Sequence, residues 1–205
     1  MDATNAVFYI AILIMSVVIH EVSHGFVAEY YGDDTARNAG RLTLNPLKHL
    51  DLFGSIILPI LMFFSTGFVF GWAKPVPYNP YNLSDRKWGT VAVAAAGILA
   101  NIFMAVIFGL LIRFTLNSDL PAGFYVITSS IVITNLALAI FNLVPIPPLD
   151  GSKILFSILP ESFYSFMVVM EQYALIILLI FIFYLSDYLR PILGFLYSLI
   201  TGIAF

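Results

Sequence analysis

Long, continuous apolar runs are the feature that most limits how this 205-residue chain can fold. A bilayer core about 30 Å thick is crossed by a helix of about 20 apolar residues, and several runs reach or approach this length. Because the runs are continuous rather than alternating, they favour membrane helices and exclude a strand barrel. The six candidates are 6–30, 52–70, 91–116, 122–144, 166–185 and 192–205.

The composition supports a membrane protein and removes several other classes. Apolar residues make up 60% of the chain and charged residues 10%, against about 25% charged residues in ordinary globular domains. The chain has 9 Lys and Arg against 12 Asp and Glu, so no basic excess indicates binding of nucleic acid. The absence of Cys excludes disulfides and thiolate metal sites. We predict an all-α polytopic membrane protein that forms one domain over residues 1–205.

The sequence HEVSH, residues 20–24, places three ionisable groups in the second half of the first apolar run. Such groups are costly inside a membrane and usually functional. Residues i and i+4 share a helix face, so His20 and His24 can bind one metal ion. Glu21, offset by about 100° around the helix, can act as a general base on a metal-bound water. The alternatives are two structural histidines, or a cation or proton relay, although the chain lacks the internal repeats of many transporters.

A catalytic zinc ion usually takes three protein ligands, so the motif needs another ligand elsewhere in the chain. Asp150 follows an apolar run in the stretch NLVPIPPLDG, whose prolines stop a helix and stiffen the chain. We therefore favour Asp150 as the third ligand, with a simple Asp-Gly turn as the alternative. His49 lies in a polar loop and is expected to be solvated or interfacial, and a solvated loop is also expected around Asp33.

The number of crossings between HEVSH and Asp150 decides whether the two can meet. If all six runs cross the membrane, three crossings separate them and they lie toward opposite faces. The run 52–70 carries Gly54, Pro59 and a Ser-Thr-Gly break, and bent backbone is tolerated at membrane depth where protein buries it. A re-entrant segment around 52–80 would bring the polar residues to one face and leave five to six transmembrane helices.

The distribution of Lys and Arg independently favours the re-entrant path, because positive residues concentrate in cytoplasmic loops. Six full crossings divide these residues four against five, whereas a re-entrant segment divides them seven against two. The seven are Arg37, Arg41, Lys48, Lys74, Arg86, Lys87 and Lys153, and the two are Arg113 and Arg190. The N-terminus is then expected outside and the C-terminus in the cytoplasm.

Three motifs in order, HEVSH, GILAN (97–101) and NLVPIPPLDG, resemble the site-2 protease family of intramembrane zinc metalloproteases, as does FGWAKPVPYNP at 70–80. The resemblance runs from about residue 16 to residue 153, roughly three quarters of the chain. It implies one zinc ion per chain, held by His20, His24 and Asp150.

The same resemblance assigns roles to three further residues. Glu21 matches the general base of the family. Asn142 matches an asparagine thought to position substrate or stabilise the oxyanion, with a helix C-cap as the alternative. Asn101, which ends the GILAN motif, is a second candidate for this role, with interhelical packing as the alternative.

The leading hypothesis is therefore a zinc endopeptidase that cleaves peptide bonds in or near transmembrane segments of other membrane proteins. Its expected partners are these substrates and the lipid bilayer, and its expected location is a prokaryotic inner membrane. Many family members carry PDZ or CBS domains for which this chain has no room, so an accessory gating protein is a candidate partner. A catalytically silent zinc-binding membrane protein and an ion or proton transporter are the alternatives, and the oligomeric state stays open.

Overall fold

A computed structural model describes residues 3–57, 61 and 73–205, and the regular structure in this part of the chain is helical, without strands. The continuous apolar runs predicted this class. The helices are α1 (Ala3–Tyr30), α2 (Thr35–Asn38), α3 (Arg86–Thr115), α4 (Ala122–Leu143), α5 (Asp150–Ile158), α6 (Tyr164–Gln172), α7 (Ala174–Ile180) and α8 (Arg190–Thr201). Short 3₁₀ or π turns occupy Pro46–His49, Leu52–Ile57, Pro80–Asn82, Glu161–Phe163, Phe181–Leu185 and Ser186–Leu189.

Four helical stretches of the described residues are long and apolar enough to cross a membrane: Val7–Tyr30, Arg86–Thr115, Ala122–Leu143 and Ala174–Thr201. The first three agree with predicted spans. The fourth corrects the prediction of separate spans at 166–185 and 192–205, because π and 3₁₀ turns join α7 to α8 without an intervening loop. The predicted re-entrant run 52–70 falls mostly outside the described residues.

The start of α1 and the end of α8 lie at the same end of the helix bundle. α1 runs antiparallel to α3, since its C-terminal half contacts the N-terminal half of α3. At the far end of α3, Arg113 Nη1 donates a hydrogen bond to the Leu199 carbonyl near the end of α8, at 2.9 Å. The sequence predicted the two chain ends on opposite faces, whereas one candidate span, not two, follows Asp150 among the described residues. The side of the membrane on which each end lies stays a prediction.

A buried core at this end joins α3, α4 and α8. Its buried members are Ala105, Ile112, Val132, Leu136 and Tyr197. Small residues allow the helices to approach, as is typical of membrane helices. At Gly109 an added Cβ would lie 2.4 Å from Ile200 Cγ2. The packing of α8 on α3 therefore depends on a residue without a side chain at this position.

At the opposite end of the bundle, the polar segments before and after the undescribed residues are hydrogen-bonded to each other. The Lys74 N–H donates to the His49 carbonyl and the Ser84 N–H donates to the Tyr31 carbonyl, each at 2.8 Å. Both segments therefore lie at the end of the bundle where α1 finishes and α3 begins.

Asp33 reinforces this connection from the turn after α1. Its fully buried carboxylate accepts hydrogen bonds from the Asn79 N–H at 2.6 Å and from the Asn82 side-chain amide at 2.8 Å. Burial raises the pKa of Asp33, but these hydrogen bonds and those from Thr35 outweigh it and hold the pKa below its usual range. The expectation of a solvated carboxylate is wrong, because Asp33 cross-links two loops.

We expect Gly109→Ala to destabilise the protein, because the new methyl group would overlap Ile200. Overpacking of this kind costs about 1–3 kcal/mol. Thermal unfolding of the detergent-purified protein measures the effect. Gly123→Ala is the matched control, because no heavy atom lies within 4 Å of the added Cβ there. Equal Tm values for the two variants would contradict the packing described for α3 and α8.

Candidate metal centre

His20 and His24 lie one helical turn apart on α1, and both are buried, with 6% and 7% of their surface exposed. Their imidazoles face α3 at Gly97. A Cβ at this position would lie 2.5 Å from His20 Cε1 and 2.6 Å from His24 Nε2. The glycine therefore lets α3 approach both rings. The GILAN motif contains Gly97, but the sequence did not indicate that its neighbours would be the two histidines.

Asp150 reaches the histidines from the first residue of α5. The prolines after Leu143 prevent α4 from continuing, and the Leu149 N–H closes a turn onto the Ile146 carbonyl at 2.9 Å. Gly151 then packs against the end of α4, where a Cβ would lie 2.3 Å from the Leu143 oxygen. This close approach holds the buried Asp150 carboxylate against α1.

Three potential ligand atoms converge at one point between α1 and α5. His20 Nε2 lies 3.0 Å from both His24 Nε2 and Asp150 Oδ2, and His24 Nε2 lies 3.1 Å from the same oxygen. Zinc bonds to nitrogen and oxygen are about 2.0–2.2 Å long, so a tetrahedral ion separates its ligands by roughly 3.3 Å. The triangle therefore has nearly the size that one zinc ion requires. It is the only His, Cys, Asp or Glu cluster of this kind among the described residues.

A hydrogen bond at Nδ1 of His24 leaves the other ring nitrogen, Nε2, available to bind a cation. His24 Nδ1 lies 2.6 Å from the Val93 carbonyl oxygen, which only accepts hydrogen bonds. Nδ1 therefore carries the proton and Nε2 directs a lone pair at Asp150. Metal-binding histidines commonly make such a bond through the second ring nitrogen. A cation between Nε2 and the carboxylate would remove the repulsion between their lone pairs, so the donor set fits a metal ion.

Asn101 lies behind His20 rather than at the converging atoms. It is fully buried, its Nδ2 lies 3.3 Å from His20 Nδ1, and its Oδ1 has no hydrogen-bond partner. Exchanging the amide nitrogen and oxygen by a flip would let Oδ1 accept a hydrogen bond from the His20 Nδ1–H and leave Nε2 free for a metal. This position favours a role in orienting His20 over the predicted contact with substrate.

Two other residues considered from the sequence have different surroundings. Asn142 is half-buried in the last turn of α4, and its Nδ2 donates to the Leu138 carbonyl at 2.9 Å. Its role toward substrate stays a prediction.

His49 is 1% exposed and its Nε2 lies 2.8 Å from the Thr43 carbonyl. The expectation of a solvated or interfacial His49 is therefore wrong, because the loop folds over the ring.

Two charged side chains flank the ligand atoms. Glu21 is half-buried and its Oε2 accepts a hydrogen bond from the Val76 N–H at 2.8 Å. Lys153 Nζ lies 3.0 Å from Asp150 Oδ1, the oxygen turned away from the histidines. Burial raises the pKa of Asp150, but the neighbouring histidines and the charge of Lys153 outweigh it and hold the pKa well below its usual range. The carboxylate is therefore ionised, as a metal ligand must be.

Comparison with known proteins places this chain in a protease family. A protein of Bacillus subtilis (strain 168), named "Putative zinc metalloprotease YwhC", is 36% identical over 179 residues, which cover 84% of this chain and 78% of the relative. The chain belongs to peptidase family M50. The family model matches residues 117–185, which contain α4 and Asp150. The resemblance to the site-2 protease family is thereby confirmed.

More distant relatives agree. "Putative zinc metalloprotease Rip2" of Mycolicibacterium smegmatis is 31% identical over 145 residues, covering 71% of this chain and 54% of the relative. "Zinc metalloprotease MJ0392" of Methanocaldococcus jannaschii is 25% identical over 162 residues, covering 78% of this chain and 37% of the relative. No solved structure matches the chain significantly. The relatives and the buried His-His-Asp cluster together imply zinc as the metal.

We expect Gly97→Ala to weaken zinc binding, because the added methyl group would overlap both imidazoles. Disturbing the support of a metal ligand typically lowers metal affinity by about 10–100-fold. Metal analysis after dialysis against a zinc buffer measures the loss, and Gly123→Ala again serves as the control. Wild-type zinc affinity in Gly97→Ala would contradict the close contact between α3 and the ligands.

Proposed function

We propose that this protein is an intramembrane zinc endopeptidase that cleaves peptide bonds in or near transmembrane segments of other membrane proteins. The observation that carries the proposal is the convergence of His20, His24 and Asp150 inside a bundle of helices long and apolar enough to span a membrane. A buried site of this kind is reached by segments that themselves lie in the bilayer. The relatives in family M50 support zinc-dependent peptide hydrolysis.

The chemistry divides between the metal and the side chains around it. One zinc ion, held by His20, His24 and Asp150, would supply a Lewis acid that polarises the peptide carbonyl and acidifies water. Glu21 is turned about 100° from the adjacent His20 on α1, so its carboxylate is free to take a proton from the attacking water. The same carboxyl group then donates the proton to the leaving amine.

The metal centre is proposed to face the cytoplasm. The Lys and Arg residues in segments at the metal end of the bundle are Arg37, Arg41, Lys48, Lys74, Arg86, Lys87 and Lys153. Arg113 lies at the opposite end and Arg190 within the fourth candidate span. The positive-inside rule then puts the metal end in the cytoplasm, with the start of α1 and the end of α8 outside. Bacterial and archaeal relatives support a prokaryotic cell (inner) membrane as the location.

The run 52–70 is proposed to enter and leave the membrane on this same face, as part of a re-entrant segment around 52–80. The hydrogen bonds from Lys74 to His49 and from Ser84 to Tyr31 support this path, because they join the chain on the two sides of the segment. Bent backbone at membrane depth requires cover by protein.

The proposed substrates are transmembrane segments that unwind locally, because the carbonyls of an intact helix are hydrogen-bonded within it and hidden from the metal. The bilayer delivers them laterally, and water enters from the cytoplasmic face. Control of access by an accessory gating protein is part of the proposal, and nucleic acid has no part in it.

Glu21→Gln is expected to keep the zinc ion and lose peptide cleavage, because an amide cannot accept and return a proton. General base catalysis typically contributes about 10²–10⁴-fold to the rate. His20→Ala is expected to lose both zinc and cleavage. The measurements are metal content and cleavage of a labelled transmembrane peptide in proteoliposomes. Glu171→Gln, the same change at an exposed glutamate of α6, is the control and should retain wild-type activity.

The same experiment separates the alternatives. Full cleavage by Glu21→Gln would contradict the general-base role, and loss of zinc in this variant would make Glu21 a ligand. A wild-type protein that binds zinc without cutting membrane proteins would be a silent zinc-binding protein. Flux of protons or cations that depends on His20 would instead identify a transporter.

Thiol labelling tests the re-entrant path without background, because the chain has no Cys. Leu47 and Tyr81 are 72% and 75% exposed and lie on the two sides of the segment. Single cysteines at these positions are expected to react with an impermeant reagent from the cytoplasmic side. A cysteine at Asn117, exposed in the loop after α3, should react only from the outside. Opposite accessibility of positions 47 and 81 would contradict the path.

A further inference from the structure

The carboxylate of Glu21 is held by the main chain of residues 73–79, a segment without helix or strand that we call the strap. The Val76 N–H donates to Glu21 Oε2 at 2.8 Å. A glutamate on a helix otherwise rotates about three side-chain torsions, so this bond restricts where the second carboxylate oxygen points. The strap is thus in direct contact with the residue to which the proposed mechanism gives the proton transfer.

The strap lies along one face of α1 because a glycine on that face, which has no side chain, leaves room for it. Gly25 and Glu21 are four residues apart and share a helix face. A Cβ at Gly25 would lie 2.8 Å from Val76 Cγ1, so the glycine lets the strap sit against the helix. Val76 is 5% exposed as a result, and its N–H is held at the level of the Glu21 side chain.

Arg41 holds the other side of the same peptide group. Its buried guanidinium donates to the carbonyls of Lys74 at 2.9 Å and Pro75 at 3.2 Å, and also to the carbonyl of Lys48. The Pro75 carbonyl belongs to the peptide bond whose N–H is that of Val76. This bond is trans, so its oxygen and hydrogen point in opposite directions. Arg41 therefore bonds one end of the peptide dipole and Glu21 bonds the other.

Asp33 fixes the far end of the strap. Its buried carboxylate accepts the Asn79 N–H at 2.6 Å, three residues beyond Val76. A buried cation and a buried anion therefore anchor the strap on the two sides of the peptide group that contacts Glu21. Neither charged residue contacts the metal ligands in the described hydrogen bonds, and the zinc chemistry leaves both of them without a role.

We propose that Arg41 and Asp33 are positioning residues, which hold the Pro75–Val76 peptide group so that its N–H orients the Glu21 carboxylate for proton transfer. The positive charge of Arg41 polarises the peptide group and strengthens its N–H as a donor. The catalytic part of this inference rests on the proposed peptidase function. The hydrogen-bond relay from Arg41 through the peptide group to Glu21 is independent of any activity.

Hydrogen exchange tests the relay directly. Pro75 and Pro77 carry no N–H, so the Val76 amide is well separated from its neighbours in the strap. Glu21→Ala should accelerate exchange at Val76, whereas Glu21→Gln, which keeps an acceptor oxygen, should preserve protection.

Arg41→Met should also accelerate hydrogen exchange at the Val76 amide. The control Arg37→Met, at a surface residue paired with Glu29, should leave this exchange rate unchanged. Unchanged exchange at Val76 in Glu21→Ala would overturn the relay.

Kinetics test the positioning role with a matched pair at one residue. Val76 precedes Pro77 and is already restricted to extended backbone, so Val76→Pro removes the N–H donor with little change in backbone preference. Val76→Ala loses the side chain but keeps the donor. We expect Val76→Pro to lower kcat by about 10–100-fold with KM and zinc content unchanged, and Val76→Ala to stay within about threefold of wild type.

The outcomes separate the two proposals. Equal kcat values for Val76→Pro and Val76→Ala would overturn the positioning role. Inactive wild-type protein would contradict the peptidase function, while accelerated exchange at Val76 in Glu21→Ala would still support the relay.

Discussion

The meeting of two imidazoles and a carboxylate inside an apolar bundle is the interaction on which the rest of this structure depends. Each of these groups is costly to bury alone, and their ligand atoms lie only 3.0–3.1 Å apart. Their lone pairs repel one another unless a cation lies between them. The fold therefore has to bring α1 and α5 together, exclude lipid from the junction, and supply hydrogen bonds to the outer sides of the rings.

The surroundings meet these requirements mainly with backbone and with residues that lack side chains. The Val93 carbonyl fixes the proton of His24, and the Pro75–Val76 peptide group contacts Glu21. Gly97 and Gly151 make room where α3 meets the rings and where α5 meets the end of α4. Main-chain groups add no further charge to the membrane interior, and glycines let helices approach closely where apolar burial provides little force.

The sequence predicted three of the candidate membrane spans, but not the arrangement of the helices after Asp150. Continuous apolar runs identified three of the four candidate spans, because a membrane helix carries its signal within its own sequence. The predicted spans 166–185 and 192–205 left a break between them, whereas 3₁₀ and π turns carry the helical path through it. A local pattern cannot show whether a helix continues through such a break, since that depends on which neighbours cover it. With one candidate span in place of two after Asp150, the end of α8 lies at the same end of the bundle as the start of α1.

The sequence by itself determined which side chains could bind a metal ion. Spacing on a helix placed His20 and His24 on one face and set Glu21 apart from them, and a rigid proline stretch pointed to Asp150. Only the tertiary structure decided what supports these residues: the buried Asp33 and His49, the position of Asn101 behind a ring, and the strap held by Arg41. Metal ligands are recognisable because their residue types and spacing follow from the ion. Supporting contacts are not, because they join segments far apart in the chain, often through backbone atoms that every residue shares.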